Sequence, residues 1–369
     1  MIDLKRTRTI AALSLALLAF GATAPAVAQG GQVRVYNWSD YIDPDIIKEF
    51  ETKTGIKVTY DVFDSNELLE TKLLAGGSGY DVVVPTGSFL SRQVKAGVFQ
   101  ALDKSKLPNL KNMWPLIQER TARYDPDNAY SINYMWGTTG IGYNEAMVKE
   151  RMADAPVDSW KLVFDPEIAK KFESCGIYFL DAADDIIPAA LHYLGLDPNS
   201  NEAADIEKAA AHLEKIRPYI RKFHSSEFIN ALANGDICIA VGYSGDILQA
   251  RDRAEEADNG VTVVYSLPKE GAQMWFDQMA IPADAANVEQ AHAFLNFMME
   301  PEVIAKASNY ANYASGNLAS LEFVDEGIKG DGAIYPDEET LGKLYVKDSY
   351  TGATQRAVTR AWTRIVTGR

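Results

Sequence analysis

Side chains that hold metals or carry redox chemistry are scarce in this sequence, which has two cysteines and four histidines in 369 residues. Cys175 and Cys238 lack C-x-x-C spacing, which argues against a zinc site or a thioredoxin-like redox motif. His192, His212, His224 and His292 fall in helical or helix-flanking stretches and form no spaced ligand set, so each reads as structural. Also missing are G-x-S-x-G, H-E-x-x-H, the P-loop and the dinucleotide-binding glycine pattern. No metal and no cofactor is expected. Past the amino terminus no run is long and apolar enough to cross a bilayer, and there is neither a low-complexity linker nor a repeat of fixed period.

The amino terminus itself is informative. Lys5, Arg6 and Arg8 precede an apolar run from Ile10 to Phe20, and Ala26-Val27-Ala28 supplies an A-x-A cleavage pattern. Together they make a secretory signal peptide over 1–28, cut after Ala28, and predict export to the periplasm. No cysteine follows the cut, so no lipid anchor is indicated. The 341 residues that remain carry 33 Lys and Arg against 50 Asp and Glu, a net charge of −17. Nucleic acid and anionic membrane are poor partners for such a surface, and a cationic solute is favoured. The length exceeds what one core usually fills, so two lobes are expected.

The pentapeptide Asn37-Trp38-Ser39-Asp40-Tyr41 is the point around which the first part of the chain is organised. A strand precedes it at Val33 to Tyr36. Asp43-Pro44, an N-cap followed by proline at the first helical position, opens a helix that ends near Thr54-Gly55. Ile56 to Val62 alternates as a second strand, Asp64 and Ser65 can cap a second helix running to Gly76-Gly77, and Tyr80 to Val84 is a continuous apolar run of the kind buried in parallel sheets. This βαβαβ unit places Trp38–Tyr41 and Pro85-Thr86-Gly87-Ser88 at carboxyl ends of strands, where open α/β sheets bind ligands. Thr86 and Ser88 serve equally well as helix caps or ligand contacts. The turn Asp125-Pro126-Asp127-Asn128 superficially resembles a calcium loop, but it has Ala129 at the fifth position and no glutamate at the twelfth, so it reads as a plain turn. Tyr134 to Tyr143, rich in small residues, looks like a crossover between lobes.

Beyond it the chemistry of the first loop recurs. Tyr243-Ser244-Gly245-Asp246 and Trp275-Phe276-Asp277 each follow an apolar strand and set an aromatic ring two or three residues before a carboxylate; Asp184-Asp185 follows the strand that ends at Leu180. Aromatic faces and carboxylates together suit an organic cation, through cation–π contact and charge-assisted hydrogen bonds. Each ring alone is equally a core residue, and each aspartate a helix cap. Paired carboxylates and sugar-stacking rings keep a glycoside-acting enzyme as the alternative.

In order, the chain reads signal peptide, Y-N-W-S-D-Y, Y-D-V-F-D-S-N-E, D-V-V-V-P-T-G-S-F-L, T-T-G-I-G-Y-N, F-H-S-S, N-G-D-I-C and P-K-E-G-A. This series resembles the periplasmic polyamine-binding proteins of ABC transporters, the putrescine-binding ones in particular. The resemblance implies a two-lobed α/β periplasmic binding fold without catalysis, each lobe a mostly parallel sheet flanked by helices and the ligand cleft between them. It implies a monomer that takes putrescine, or spermidine or another cationic amine, and delivers it to an inner-membrane ABC permease. Carried over by local match, the pocket would contain Trp38, Ser39, Asp40, Tyr41, Thr86, Asp185, Ser225, Tyr243, Asp246, Trp275, Asp277 and Tyr313. Putrescine-binding relatives typically have Trp, Phe, Glu and Ser where Tyr243, Trp275, Asp185 and Thr86 stand, exchanges that keep rings and carboxylates. One ammonium group would meet Asp246 and Asp277 and the other Ser39, Asp40 and Asp185, with Trp38, Tyr243 and Trp275 as walls. The expected organisation is a first lobe over 29–136 and 261–330, a second over 137–260, and C-terminal helices over 331–369 packed across both.

Cys175 and Cys238 flank strand-like runs in the second lobe, and export supplies an oxidising compartment. A disulfide between them is expected, two separately buried thiols being the alternative.

Overall fold

The computed structural model describes residues 30–368; the expected signal peptide and its cut after Ala28 lie outside them. Strand β1 (Gln32–Trp38) leads into α1 (Pro44–Thr54), where the Asp43 carboxylate accepts from the Asp45 N–H and Gly55, at φ 72°, stops the helix. A left-handed residue at that position is what glycine provides at least cost. Strand β2 (Lys57–Phe63) pairs parallel with β1 along its whole length. Ser65 caps α2 (Asn66–Ala75) through the Leu68 N–H. The apolar run Tyr80–Val84 supplies a strand of only two residues, β3 (Val82–Val83), parallel to β1, and α3 (Gly87–Lys95) follows.

Strand β4 (Ser131–Asn144) is the crossover, fourteen residues long and buried throughout. The second lobe then supplies β5 (Ile177–Phe179), α4 (Ala183–Tyr193), α5 (Ala203–Ile216), β6 (Ile220–Phe223), β7 (Ile239–Tyr243), α6 (Ser244–Ala257) and β8 (Val263–Ser266). The chain returns through β9 (Gln273–Ala280), adds the short β10 (Ala314–Ser315) and β11 (Tyr345–Val346), and ends on α7 (Gly352–Thr367).

The strands form one curled sheet in the order β2-β1-β3-β9-β4-β7-β5-β6. Its outer strands pair parallel, whereas β4 pairs antiparallel with β9 through Ser131–Thr138 and with β7 through Thr139–Tyr143. The partner of β4 therefore changes between Thr138 and Thr139, and this is where one lobe becomes the other. Apolar side chains gather accordingly: Trp160, Phe164, Phe179 and Ile239 belong to one cluster in the second lobe, while Phe50 and Phe294 lie on one face of the first lobe's sheet and Phe63 and Phe276 on the other.

Two expectations shift. The expected boundary puts residues 261–266 in the first lobe, but β8 pairs antiparallel with Ile141–Asn144, so the second lobe runs through Ser266 and the return crossing is β9. Trp275-Phe276-Asp277 is not a loop after a strand but the middle of β9, all of it buried. The period of two in a strand puts Trp275 and Asp277 on one face and Phe276 on the other. Residues past 331 divide their contacts: β11 pairs with β9, and α7 packs on α5 and α4. Cys175 and Cys238 form a disulfide with their Cα atoms 5.6 Å apart. It lies just before β5 and β7, which begin level with each other at Ile177 and Ile239. The Asp125 carboxylate accepts from the Ala129 and Tyr130 N–H groups and the Ser131 hydroxyl, which ties the turn to the start of β4.

Candidate functional site

A cleft between the lobes holds about 570 Å³ of atom-free space, counting the part open to solvent. It gathers Trp38, Ser39, Tyr41, Thr86, Trp275, Asp277 and Tyr313 from the first lobe and Asp185, Ser225, Tyr243 and Asp246 from the second. Asp40 is not among its walls. That residue takes φ 55°, which turns its carboxylate away from the cleft to an ion pair with Arg253 of α6, Oδ1 to Nη2 2.8 Å, while its carbonyl accepts from Gln249. Asp40 therefore joins the lobes at the rim, its Oδ1 engaged by Arg253. The lining also includes Asp64, Asn66, Ser88, Phe89, Asp184 and Gln273, which are outside the expected set.

Asp277 is held at both carboxylate oxygens. Tyr41 donates its hydroxyl to Oδ2 at 2.9 Å, and Thr86 donates to Oδ1 at 2.6 Å. Thr86 caps no backbone N–H of α3. Its hydroxyl accepts instead from Asn66 Nδ2 at 3.0 Å, and Asn66 Oδ1 accepts from the Thr86 N–H at 3.1 Å, so the hydroxyl hydrogen is left to point at Asp277. Beneath lies a bulge in β4: Asn133 faces Gln278 and Met135 faces Asp277, with Tyr134 the extra residue. Asn133 Nδ2 holds the Asp277 carbonyl at 3.0 Å, and Tyr134 donates to the Tyr41 carbonyl at 2.6 Å. Bulges re-aim side chains, and this one fixes both Asp277 and the tyrosine that binds it.

The second lobe offers its acids from the first turns of helices, where the N-terminal dipole favours negative charge. Asp185 of α4 accepts from Thr139 Oγ1 at 2.8 Å and Gln273 Nε2 at 3.2 Å, with the Tyr243 hydroxyl 3.4 Å from its other oxygen. Asp246 of α6 accepts from the Tyr313 hydroxyl of the first lobe at 2.8 Å. Burial, chiefly, pushes Asp185, Asp246 and Asp277 each up to about 7; the hydrogen bonds from Thr139, Tyr313 and Thr86 work against that shift. Neighbouring acids add to it, Asp185 acting on Asp277 and Asp184 on Asp185.

Between these acids the walls are rings set edge to face. Centroids lie 6.3 Å apart for Trp38 and Tyr243, 5.6 Å for Tyr243 and Trp275, and 5.2 Å for both Trp275 with Tyr313 and Tyr41 with Tyr313. Trp38 is locked by its indole N–H on the Val84 carbonyl at 2.9 Å. Four lining residues keep buried polar atoms with no hydrogen-bond partner among the described residues: Ser225 Oγ, Gln273 Oε1, Trp275 Nε1 and both carboxylate oxygens of Asp184. Orphaned buried groups cost free energy unless something supplies their partners. Among the described residues no three Asp, Glu, His or Cys are grouped to hold a metal ion. The acids are thus spread along a slot walled by rings, which fits an elongated organic cation better than a point charge.

Residues 45–335 match the family model described as bacterial extracellular solute-binding protein. The chain is 53% identical over 363 residues to the putrescine-binding periplasmic protein SpuD of Pseudomonas aeruginosa, covering 98% of each. It is 50% identical to the putrescine-binding periplasmic protein PotF of Escherichia coli, covering 93% of each. Among solved structures, the spermidine/putrescine ABC transporter substrate-binding protein PotD of Streptococcus pneumoniae superposes with a TM-score of 0.72 at 31% identity, covering 91% of this chain and 98% of that one. In sequence and in fold, the chain belongs to the bacterial extracellular solute-binding protein family.

Proposed function

We propose that this protein is a periplasmic receptor that captures a diamine, putrescine in the first place, by closure of its two lobes and presents it to an ABC permease. The observation that carries the reading is the pair Asp277 and Asp246, buried acids from opposite lobes connected through Tyr41 and Tyr313 beside a wall of rings. An ammonium placed between them is paired by both lobes at once, so ligand and closure stabilise each other. The second ammonium lies towards Asp185, Ser225 and Gln273, and the methylenes between run along Trp38, Tyr243 and Trp275.

Burying an ammonium costs several kcal/mol unless it is paired. Charge-assisted hydrogen bonds return about 1.5–3 kcal/mol each and a desolvated cation–π contact about 2 kcal/mol. After ordering costs, a net of about 8 kcal/mol corresponds to affinity near micromolar. The relatives' names and the acidic surface support the same reading. The proposed receptor acts as a monomer, in the periplasm, and returns its ligand chemically unaltered.

Calorimetric titration of the exported protein with putrescine tests the proposal. One saturable site near equimolar stoichiometry is expected, with the amine recovered intact after long incubation. No saturable heat with any amine, alongside saturable binding of a neutral sugar, overturns it.

A further inference from the structure

The far end of the cleft behaves differently from the rest. Asp184 lines it, is buried, and has no hydrogen bond on either oxygen, yet two cations stand behind it. Arg92 of α3 is held in a fork by Glu70 of α2, Nε to Oε1 2.6 Å and Nη2 to Oε2 2.8 Å, and its guanidinium lies 3.7 Å from the Phe89 ring centre. Its Nη1 donates to Gln355 Oε1 at 3.2 Å and stands 3.7 Å from Asp184 Oδ2.

The second cation is Lys347, just after β11. Its side chain is buried, with the ammonium 3.5 Å from the centre of the Tyr350 ring and donating to the Asp348 carbonyl. A buried lysine without a carboxylate in hydrogen-bond reach is rare. Burial pulls it down to about 8, and the acid that most opposes this is Asp184.

We propose that Arg92 and Lys347 act as resident counter-ions of Asp184, neutralising it from behind so that the far end of the cleft rejects a third ammonium and the ligand is held to a diamine. The proposal rests on the amine-binding reading above and adds a selection by length to it. Asp246, Asp277, Asp185 and Asp184 are the cleft's series of acids, the last two adjacent in the first turn of α4. A diamine with four methylenes spans about 6 Å between nitrogens, five bonds of roughly 1.5 Å at tetrahedral angles, and uses the first part of that series. A triamine such as spermidine, an aminopropyl group longer, carries its last ammonium on towards Asp184. There it meets an acid already faced by Arg92 and by Lys347, and Lys347, which has no carboxylate within ion-pair distance among the described residues, repels it in a low-dielectric setting where like charges are costly. Specificity built on such a repulsive element needs no extra contact to the favoured ligand.

The test is the ratio of spermidine to putrescine affinity, read by calorimetry on the exported protein. Wild type should favour putrescine at least tenfold. Lys347→Met keeps length and apolar stem while removing the charge, and should move the ratio towards spermidine by tenfold or more; Lys347→Arg should keep the wild-type ratio. Asp184→Asn leaves Lys347 without its compensating acid, Arg92 keeping Glu70, and should move the ratio further against spermidine, a result that guards against reading a generally loosened Lys347→Met as a success. A folded Lys347→Met with the wild-type ratio overturns the inference alone, as does a wild type that favours spermidine. A wild type that binds neither amine overturns the functional reading and this inference with it.

Discussion

The two lobes present their acids in opposite ways. Asp277 of the first lobe sits inside a buried strand, both oxygens bonded by side chains of its own lobe and its carbonyl pinned by Asn133 across a bulge. Asp246 of the second lobe sits at a helix start and takes its one side-chain hydrogen bond from Tyr313, which belongs to the other lobe. Asp277 is therefore fully held by its own lobe, whereas Asp246 reaches its arrangement through contact with the other; Asp185 is intermediate, taking Thr139 and Tyr243 from its own lobe and Gln273 from β9. Helix α6, which carries Asp246, makes much of that contact: Arg253 pairs with Asp40, Gln249 reaches the Asp40 and Ala311 carbonyls, and Asn312 donates to Asp252. A preassembled platform and a closing partner are the lesson of the difference.

Breaking the platform should do most. Asp277→Asn leaves a buried ammonium short of its charge partner, a loss of about 2–5 kcal/mol, so putrescine affinity should fall at least thirtyfold in calorimetry. Asp246→Asn should cost about tenfold, and the closing rate in stopped-flow tryptophan fluorescence should fall with it; equal losses for the two variants would erase the contrast between the lobes.

Acidification touches both lobes. Asp185, Asp246 and Asp277 titrate near 7 in the free protein, above the ordinary aspartate value, so they are neutral below that pH and ionised above it. An ammonium needs the carboxylates. Affinity should be full at pH 8 and fall by about tenfold or more by pH 5.5, with protons released on binding near pH 7, seen as a buffer-dependent heat. The free protein should show the opposite trend: stability from burying these acids in neutral form is present below about pH 4 and lost as pH rises through 7. A ligand-induced shift in Tm that is the same at pH 5.5 and 8 would contradict this linkage.

A subtler probe is Asn66→Ala. It frees the Thr86 hydroxyl to turn, and affinity should drop about threefold while the pH midpoint for binding moves up, because Asp277 loses an aimed donor. The smallest effect on affinity belongs to the disulfide. It closes a separation of 63 residues, worth roughly 4 kcal/mol on the chain-entropy account, but it joins the amino ends of β5 and β7, while Tyr243 and the acids stand at the carboxyl ends. Reduction should lower Tm by several degrees and leave putrescine affinity unchanged at room temperature.

Much of the first lobe is legible in the sequence because its signals are local. Asp43-Pro44, Gly55 and Ser65 cap and stop helices by rules that need only neighbouring residues. The rings and acids of the site stand out in sequence for the same reason. What escapes depends on distant partners. Asp40 shares its pentapeptide with residues that do line the cleft, and only Arg253, more than two hundred positions away, draws it off. Strand β9 is buried on both faces, so Gln273 to Ala280 shows no alternation to mark it, and Trp275–Asp277 reads as a loop. Gln273 and Asn66 carry no signal that separates them from ordinary polar residues. Asp184 does: it stands beside Asp185 at the start of an apolar helix, and both are buried.

The position of β9 also bears on the order in which the protein takes shape during synthesis. In the sheet it lies between β3 and β4, both of which precede it by more than a hundred residues. The strands of the second lobe are all present once Ser266 has emerged, while the first lobe lacks its central strand until Ala280 follows. Both lobes thus wait on the last part of the chain, the first for β9 and the second for α7, whose Val358, Ala361 and Ile365 complete its core, so a nascent chain cut short before β9 would hold neither lobe finished.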